Sequence, residues 1–487
     1  MKLKYYGFGV AILTLAVGCG GEIVGGSGDT SKDAGKPPPV ADSGGGRVGD
    51  ADAGPPVVDS APPDTGTDTA PVDAGPDNGS PSTTYPAFMP FIPGVLDNGG
   101  PVLASPQIVT VTWTADTLHA TWEAFGDDIG STAYWKTTTS EYGVGPAVSG
   151  ATNHVEIATA PPTAWSDTDI VSFVQTNASS TATSGWPAPN SNIVYVIYVP
   201  TSTSATFSLH QGTGTIMACM NGTGGYHDNV NVSGFGDIAY AVVLQCGPEG
   251  LPVTDAASHE LIEAATDPYP SDNPAYTGFN DATYMAWDLF QTGSAGLGQT
   301  EVGDMCETYF YPDSFGYTDP TLGGVQRTWS TVSAQGGHAP CVPAETTAYF
   351  NVTPLNQEAV TINSSAFPLG GTPKAAATGY SIPVGKSKTF AVGFYSDGPT
   401  SGPWDITVED LGDQFAGQYF TAVGKSSVTT SVDVAQGQNG NVAYVTVTAN
   451  GYDQTKSDLI LVKSELPGST CGFRACRSYM PILISGN

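Results

Sequence analysis

One histidine and two glutamates stand close together in the order His259, Glu260 and Glu263. His259 and Glu263 are four residues apart, so on a helix their side chains share one face and can reach one metal ion. Zinc accepts a carboxylate oxygen at nearly the same distance as an imidazole nitrogen. Glu260, beside the first ligand, is then placed to act as general base on a metal-bound water. The spacing therefore favours a zinc-dependent hydrolytic centre.

A catalytic zinc needs a third protein ligand. Glu301 and Asp304, in the segment EVGDMC, are the first choice, because two acids three residues apart can divide the ligand and supporting roles. His227, in GGYHD, and His338, in GGHAPC, are alternative metal ligands. Acids in such a segment also fit a structural calcium ion. Asp267 is interpreted as a helix stop or a supporting acid, because three residues along a straight helix converge poorly on one metal.

The elements that position these residues follow from the hydrophobic pattern. A helix is predicted from Asp255, as capping residue, to the stop at Pro268. Residues 107–113 alternate as a half-buried strand does, and residues 192–200 are nearly all apolar, which predicts a central strand. Further strands are predicted at 207–210, 215–220 and 237–245, and helices at 118–129 and 133–142.

The sequence His259-Glu260-Leu261-Ile262-Glu263 resembles the HExxH helix of the zincins, with Glu263 in place of the second histidine. The resemblance implies an α+β zincin-like domain, with a mixed sheet and an active-site helix, over residues 85–345. It also implies metallopeptidase activity with zinc as the cofactor. The strand predicted at 237–245 precedes the helix as it does in that family.

After Glu345 the sequence pattern changes to short segments of alternating apolar and polar residues, separated by turn residues. These strands are predicted at 349–353, 358–362, 387–394, 404–409, 426–434, 442–449 and 458–462. Their spacing predicts an immunoglobulin-like β-sandwich over residues 346–466. Residues 467–487 are predicted to be a small disulfide-bearing tail docked on it.

The first residues have the layout of an export signal, with Lys2 and Lys4 before an apolar run that ends at Val17. Ala16-Val17-Gly18-Cys19 resembles the lipobox of bacterial lipoproteins. The resemblance implies removal of residues 1–18, lipidation of Cys19 and anchoring in the cell envelope, at the outer membrane or cell surface. An ordinary cleaved signal with an incidental cysteine is the alternative. Residues 19–84 are rich in Asp, Pro and Gly and predict a disordered tether.

Six cysteines follow Cys19, and an even number in an oxidising compartment indicates disulfides. Fifteen pairings are open to six cysteines. Local order favours Cys219 with Cys246, Cys306 with Cys341, and Cys471 with Cys476.

The net charge of −31 argues against nucleic acid as a partner. A weaker resemblance to the EXORDIUM, or phosphate-induced, proteins is scattered over residues 105–343, in the Tyr134-Trp135 helix, the Tyr226-His227 loop and the glycine-rich segment before Cys341. It implies an extracellular role.

Two functions are therefore expected. The first is a surface-anchored zinc metallohydrolase, an endopeptidase acting on extracellular protein or peptide. The alternative is a non-catalytic adhesion or cell-wall-binding lipoprotein with a degenerate or structural metal site.

Overall fold

The computed structural model describes residues 78–211, 214–221, 223–247, 252–279, 282–292, 301–310, 316–362, 375–411, 427–452, 456–468 and 476–486. The signal peptide, Cys19, most of the tether and Cys471 lie outside these residues. Among the described residues, no helix is both long enough and apolar enough to cross a membrane.

The chain up to Glu345 mixes strands and helices, which confirms the α+β prediction at that level. Its strands are β1 (Val95–Asp97), β2 (Gln107–Trp113), β3 (His154–Ile157), β4 (Ile193–Val199), β5 (Ser208–Gln211), β6 (Gly214–Met217), β7 (Gly225–Val232), β8 (Gly236–Leu244), β9 (Tyr276–Phe279), β10 (Gly316–Asp319), β11 (Gly323–Gln326), β12 (Thr328–Trp329) and β13 (Cys341–Val342). Its helices are α1 (His119–Ile129), α2 (Ala133–Thr139), α3 (Asp167–Ser179), α4 (Thr181–Ser184), α5 (Thr201–Ser204), α6 (Val253–Thr266), α7 (Met285–Thr292), α8 (Asp304–Phe310) and α9 (Thr331–Gly336).

A five-stranded sheet in the order β3-β2-β4-β8-β7 forms the centre of this part. The first four strands are parallel, and β7 runs antiparallel to β8. Every residue of β4 is buried, as expected of a parallel strand with both faces covered. The predicted central strand at 192–200 is thus confirmed.

Helices cover both faces of this sheet. On one face, α1 and α6 pack with alternate residues of β4, and the ring of Trp122 stacks on Tyr198 with centroids 5.5 Å apart. On the other face, α3 packs against the intervening residues of the same strand. α6 therefore lies on the same side of the sheet as α1, next to β7 and β8.

The remainder of the chain forms two facing sheets. Their strands are β14 (Phe350–Pro354), β15 (Glu358–Ile362), β16 (Ala375–Ser381), β17 (Ser387–Ser396), β18 (Trp404–Asp410), β19 (Ser427–Val432), β20 (Gln436–Gly437), β21 (Val442–Gly451), β22 (Ser457–Glu465) and β23 (Arg477–Ser485). The sheet orders are β14-β17-β21-β19 and β15-β16-β23-β22-β18-β20. Trp404 of the second sheet packs on Phe350 and Phe394 of the first, with ring centroids 5.1 and 5.4 Å apart. This β-rich architecture is consistent with the immunoglobulin-like prediction.

The end of the chain differs from its prediction as a separate tail. Residues 477–485 form β23, which pairs with β22 over nine residues and with β16 in parallel. Eight of its nine residues are buried, because both faces of the strand are covered. Such a strand lacks the alternation of apolar and polar residues that predicts a half-buried strand. β23 therefore belongs inside the sandwich sheet.

Disulfides at Cys219–Cys246 and Cys306–Cys341 confirm two of the predicted pairings. Cys476 is also disulfide-bonded. Its predicted partner, Cys471, lies outside the described residues. Disulfides of this kind are typical of proteins in extracytoplasmic compartments.

The α+β part and the sandwich share one hydrophobic core. Trp287 of α7 packs on Trp329 with centroids 5.8 Å apart and donates a hydrogen bond to the carbonyl of Phe91 at 2.8 Å. Phe290, one turn later, contacts Tyr479 of β23 with centroids 6.3 Å apart. The sandwich thus supports the helices that flank the candidate site.

Residues 78–84, which the sequence assigns to the tether, are docked on the sandwich. The backbone N–H of Ser82 donates to the carbonyl of Asn439 at 2.7 Å. The Asn439 side chain donates to the carbonyls of Ser82 and Thr84, each at 2.9 Å. It also accepts from the N–H groups of Ala87 and Ser396, each at 3.0 Å. The predicted boundary at Thr84 is therefore too late, because the sandwich satisfies the backbone groups of this segment.

Replacing Asn439 by alanine is expected to lower the free energy of unfolding by about 2 to 4 kcal/mol, because four hydrogen bonds are lost and buried partners stay unpaired. Chemical denaturation monitored by tryptophan fluorescence measures the change. Asn450→Ala, at an exposed position, is the control. Equal stability of the two variants would contradict the docking described.

Candidate metal centre

Helix α6 places its polar residues in the interior. Every residue from Asp255 to Thr266 is buried, since the helix packs on β7, β8 and β11. The predicted capping role of Asp255 is wrong, because Pro252 is the N-cap residue and Asp255 lies in the first turn. His259, Glu260 and Glu263 therefore face protein on several sides.

The ring of His259 is oriented by Gln326 of β11. The amide nitrogen of Gln326 donates to the carbonyl of Gly303 at 2.9 Å, so its oxygen is the acceptor at the other side. That oxygen lies 2.9 Å from Nδ1 of His259, which must then carry the proton. Nε2 of His259, 2.8 Å from Oε2 of Glu263, is therefore the nitrogen that would offer a lone pair to a metal in place of a proton.

His227 reaches the same carboxylate from β7. It pairs with Ala241 of β8, so its side chain points to the face that α6 covers. Its Nε2 lies 3.1 Å from the carbonyl oxygen of Asp267, which can only accept a proton. Nδ1, 3.5 Å from Oε2 of Glu260 and 3.7 Å from Oε2 of Glu263, is then the nitrogen that would offer a lone pair to a metal in place of a proton.

One nitrogen of each imidazole thus lies close to Oε2 of Glu263. Ligands held about 2.0 to 2.1 Å from a tetrahedral zinc ion are about 3.3 Å from each other. The distances from Glu263 Oε2 to His259 Nε2 and His227 Nδ1, 2.8 and 3.7 Å, bracket this separation. The second ring nitrogens are held by Gln326 and the Asp267 carbonyl, as the outer partners of metal-binding histidines are. The ligand atoms of His227, Glu263 and Glu301 all lie within 4.8 Å of one another, and so do those of His259, Glu260 and Glu263, so Glu263 belongs to both groups that could hold a metal ion.

The turn at 301–304 brings two more acids to the cluster. Oε1 of Glu263 accepts hydrogen bonds from the N–H groups of Gly303, at 2.9 Å, and Asp304, at 3.2 Å. Oε2 of Glu301 lies 3.1 Å from Nε2 of His227, and Oδ1 of Asp304 lies 3.6 Å from Nε2 of His259. Both predicted acids therefore lie at the centre.

Two links hold this turn in place. The N–H of Trp329 donates to the carbonyl of Val302 at 2.7 Å. The Cys306–Cys341 disulfide joins α8 to β13, which pairs with β12 at Trp329. The acids at the start of α8 are thus fixed relative to α6.

Buried carboxyl groups outnumber the opposing charges in this cluster. The strongest opposing charges on the cluster come from the two imidazoles. The buried acids are Asp255, Glu260, Glu263, Asp267 and Glu301, and the partly buried Asp304 and Glu307 lie beside them. A buried anion needs a paired cation or a proton.

The pKa values indicate that protons neutralise part of this excess of carboxylate charge. Burial raises the pKa of Glu301 to about 8 and that of Glu307 to about 7, against the lowering effect of the nearby histidines. Burial alone would lower the pKa of His227 and His259, but the adjacent glutamates raise both well above 6.5. Glu263 is the exception, since the two histidines lower its pKa despite burial. Glu263 is therefore the carboxylate that stays ionised.

One carboxylate oxygen at the centre, Oδ2 of Asp267, is buried without a hydrogen-bond partner among the described residues. The other oxygen of Asp267 accepts from the N–H of Ala275 at 2.7 Å. A buried carboxylate oxygen without a partner is further reason to expect a cation here.

The structure brings together six of the sequence-predicted residues: His227, His259, Glu260, Glu263, Glu301 and Asp304. His338 is elsewhere, with its ring 57% exposed and Nδ1 3.1 Å from Asp397 of the sandwich. Sequence reasoning missed Glu307, although it lies three residues after Asp304, the same spacing that separates Asp304 from Glu301. It also missed Gln326, for which the sequence carries no signal.

No protein-family model matches the chain, and no curated protein is detectably similar to it. Among solved structures, domains 4 and 5 of the S-layer protein SbsC match at 15% identity. That match covers 33% of this chain and 89% of the other, with a TM-score of 0.14. A score this low supports no statement about fold or function.

Gly303 is expected to be intolerant of a side chain. A Cβ there would lie 2.8 Å from both Oε1 of Glu263 and Nδ1 of His259. Gly303→Ala should therefore lower the free energy of unfolding by about 1 to 3 kcal/mol through overpacking. Denaturant unfolding in metal-free buffer measures this change.

Gly324→Ala is the matched control on neighbouring β11, because its Cβ would meet Asp255 Oδ1 at 3.5 Å, an ordinary contact. If the two alanine variants were equally stable, the close packing of Gly303 on Glu263 and His259 would be refuted.

Proposed function

We propose that the protein is a zinc-dependent metallohydrolase and that His227, His259 and Glu263 are its three protein ligands. The proposal depends on one observation, the convergence of a nitrogen from each of two imidazoles on Oε2 of Glu263. His227 is the third ligand in this proposal, a role for which Glu301 and Asp304 are the first choice from the sequence and His227 is an alternative. Three protein ligands leave a fourth position for water, as in catalytic zinc sites.

Zinc bound there would lower the pKa of its water and polarise a substrate carbonyl. Glu260 would take the proton of that water and pass it to the leaving group. Its Oε2 lies 3.5 Å from Nδ1 of His227, beside the ligand atoms, while not being needed as a ligand. Gly225 permits this position, because a Cβ there would lie 2.8 Å from the Glu260 side chain.

Glu301 and Asp304 would act outside the ligand set. Glu301 would orient the ring of His227, and Asp304 would support the ring of His259. Their distances to those rings, 3.1 and 3.6 Å, suit supporting acids as well as additional ligands. The choice of peptide bonds as substrate follows from the resemblance of the His259–Glu263 segment to the zincin helix. From the same resemblance we propose that the protein has a zincin-like fold and acts as a peptidase on extracellular protein.

A second function, a structural metal site in a non-catalytic adhesion lipoprotein, is favoured by one feature. Oδ1 of Asp304 is close enough to His259 to occupy the fourth position, at 3.6 Å from Nε2. Four protein ligands would close the site to water, as in structural zinc sites. Activity of the metal-loaded protein separates the two functions.

The purified body, residues 78–487, is expected to hold zinc at this centre and to lose it in His227→Ala, which removes a ligand. His338→Ala should retain the zinc, because that ring pairs with Asp397 on the surface. Elemental analysis after dialysis gives the stoichiometry. In the same preparation, Glu260→Gln should keep the zinc and hydrolyse a labelled unfolded protein at least about 100-fold more slowly.

Glu358→Gln, on the sandwich surface beside Lys388, is the control for the glutamate substitution. Zinc retained in His227→Ala would contradict the ligand assignment, and full activity in Glu260→Gln would contradict the base. Zinc at the centre without hydrolysis by the native protein would favour the structural function.

We also propose that Cys19 carries the lipid that anchors the protein in the cell envelope. Cys19→Ser should abolish incorporation of labelled fatty acid and move the protein from the membrane fraction to the soluble fraction. A serine variant that remained in the membrane fraction would refute the anchor, because the hydroxyl does not accept the thioether-linked lipid.

A further inference from the structure

A second group of histidines and acids lies at the opposite edge of the central sheet from His227. His119 and Glu123 are four residues apart on α1, and His154 and Glu156 are two residues apart on the edge strand β3. Residues four apart on a helix and two apart on a strand share a face. All four side chains therefore occupy the space between α1 and β3.

Glu123 lies at the centre of this group. Its Oε1 is 3.6 Å from Nδ1 of His119, and its Oε2 is 3.7 Å from Nδ1 of His154. Oε2 of Glu156 lies 3.9 Å from the same nitrogen of His119. Thr112 of β2 donates to Oε1 of Glu123 at 3.1 Å, which fixes the carboxylate over the sheet.

The hydrogen bonding of the two rings leaves both Nδ1 atoms available as ligands. Nε2 of His154 lies 2.9 Å from a carboxylate oxygen of Asp127, which accepts its proton and leaves Nδ1 with the lone pair. Nδ1 of His119 is buried and has no hydrogen-bond partner among the described residues. A carboxylate holding the far nitrogen of a histidine is the usual support of a metal ligand.

We propose that His119, Glu123, His154 and Glu156 bind a second zinc ion. The donors are two imidazole nitrogens and two carboxylates, which suit zinc, whereas calcium takes oxygen donors alone. The measured separations of 3.6 to 3.9 Å are slightly wider than about 3.3 Å for tetrahedral ligands. The side chain of Glu156, 44% exposed, is free to close this difference.

The ion would connect the edge strand of the sheet to helix α1. β3 is short and, among the strands that the structure describes, pairs with β2 alone, so few backbone hydrogen bonds hold it. A metal shared by β3 and α1 adds a link that does not depend on sheet pairing. Because the group lies at the β3 edge of the sheet and the proposed hydrolytic centre at the β7 edge, this site is independent of that centre.

Zinc stoichiometry of the full body tests the proposal. After loading with zinc and dialysis against metal-free buffer, the native protein should retain two zinc ions per chain, and His119→Ala/His154→Ala should retain one. In a His259→Ala background, the same double substitution should remove the last ion. His210→Ala, at an exposed histidine that pairs with Asp167, is the control and should retain the stoichiometry of its parent.

Glu156→Gln provides a variant that keeps the volume of an exposed side chain and so is expected to fold. It should bind the second zinc at least tenfold more weakly in competition with a chelator. Hydrogen exchange of residues 154–157 should slow on zinc addition in the native protein and stay unchanged in Glu156→Gln. If the His119→Ala/His154→Ala variant retained as much zinc as its parent in either background, the proposed site would be overturned. The four side chains would then form ordinary ion pairs.

Discussion

The carboxylate of Glu263 is the point on which the candidate centre depends. One oxygen accepts two backbone N–H groups from the 301–304 turn, and the other faces two imidazoles from different elements. Moving any of α6, β7 or this turn would leave a buried charge without its partners, which is costly in a low-dielectric interior. The histidines counter this charge, and the remaining acids make the pocket attractive to a cation.

The surrounding fold keeps these elements rigid. α6 is held against the sheet by its apolar face, while β11 supplies Gln326 and the Cys306–Cys341 disulfide fixes α8. Glycine at 225 and 303 permits the close approach of Glu260 and Glu263 to the backbone. Buried polar networks of this kind are favourable only when nearly every group is satisfied, so the orientation of each residue matters.

The sandwich contributes to the same arrangement through packing. Its β23 contacts α7, and α7 packs on Trp329, whose N–H holds the turn that carries Asp304. The core is continuous across this junction, so the sandwich stabilises the elements beside the centre as well as itself. The group on α1 and β3 is built differently from the centre at Glu263. One histidine comes from a helix and one from an edge strand, and both lie beside the single buried glutamate, Glu123.

The sequence by itself determined what local pattern controls. Alternation and apolar runs located β2, β4 and β8, helical spacing placed His259 and Glu263 on one face of α6, and local order paired two sets of cysteines. Tertiary structure decided the rest, because it depends on contacts between distant residues. His227 is 32 residues before His259 and enters the centre through the register of β7 on β8, which no local pattern encodes. Gln326 and Glu307 enter through the placement of β11 and α8, and His338 is excluded by its docking on Asp397. β23 escaped prediction because a strand buried on both faces lacks the alternation that marks its neighbours.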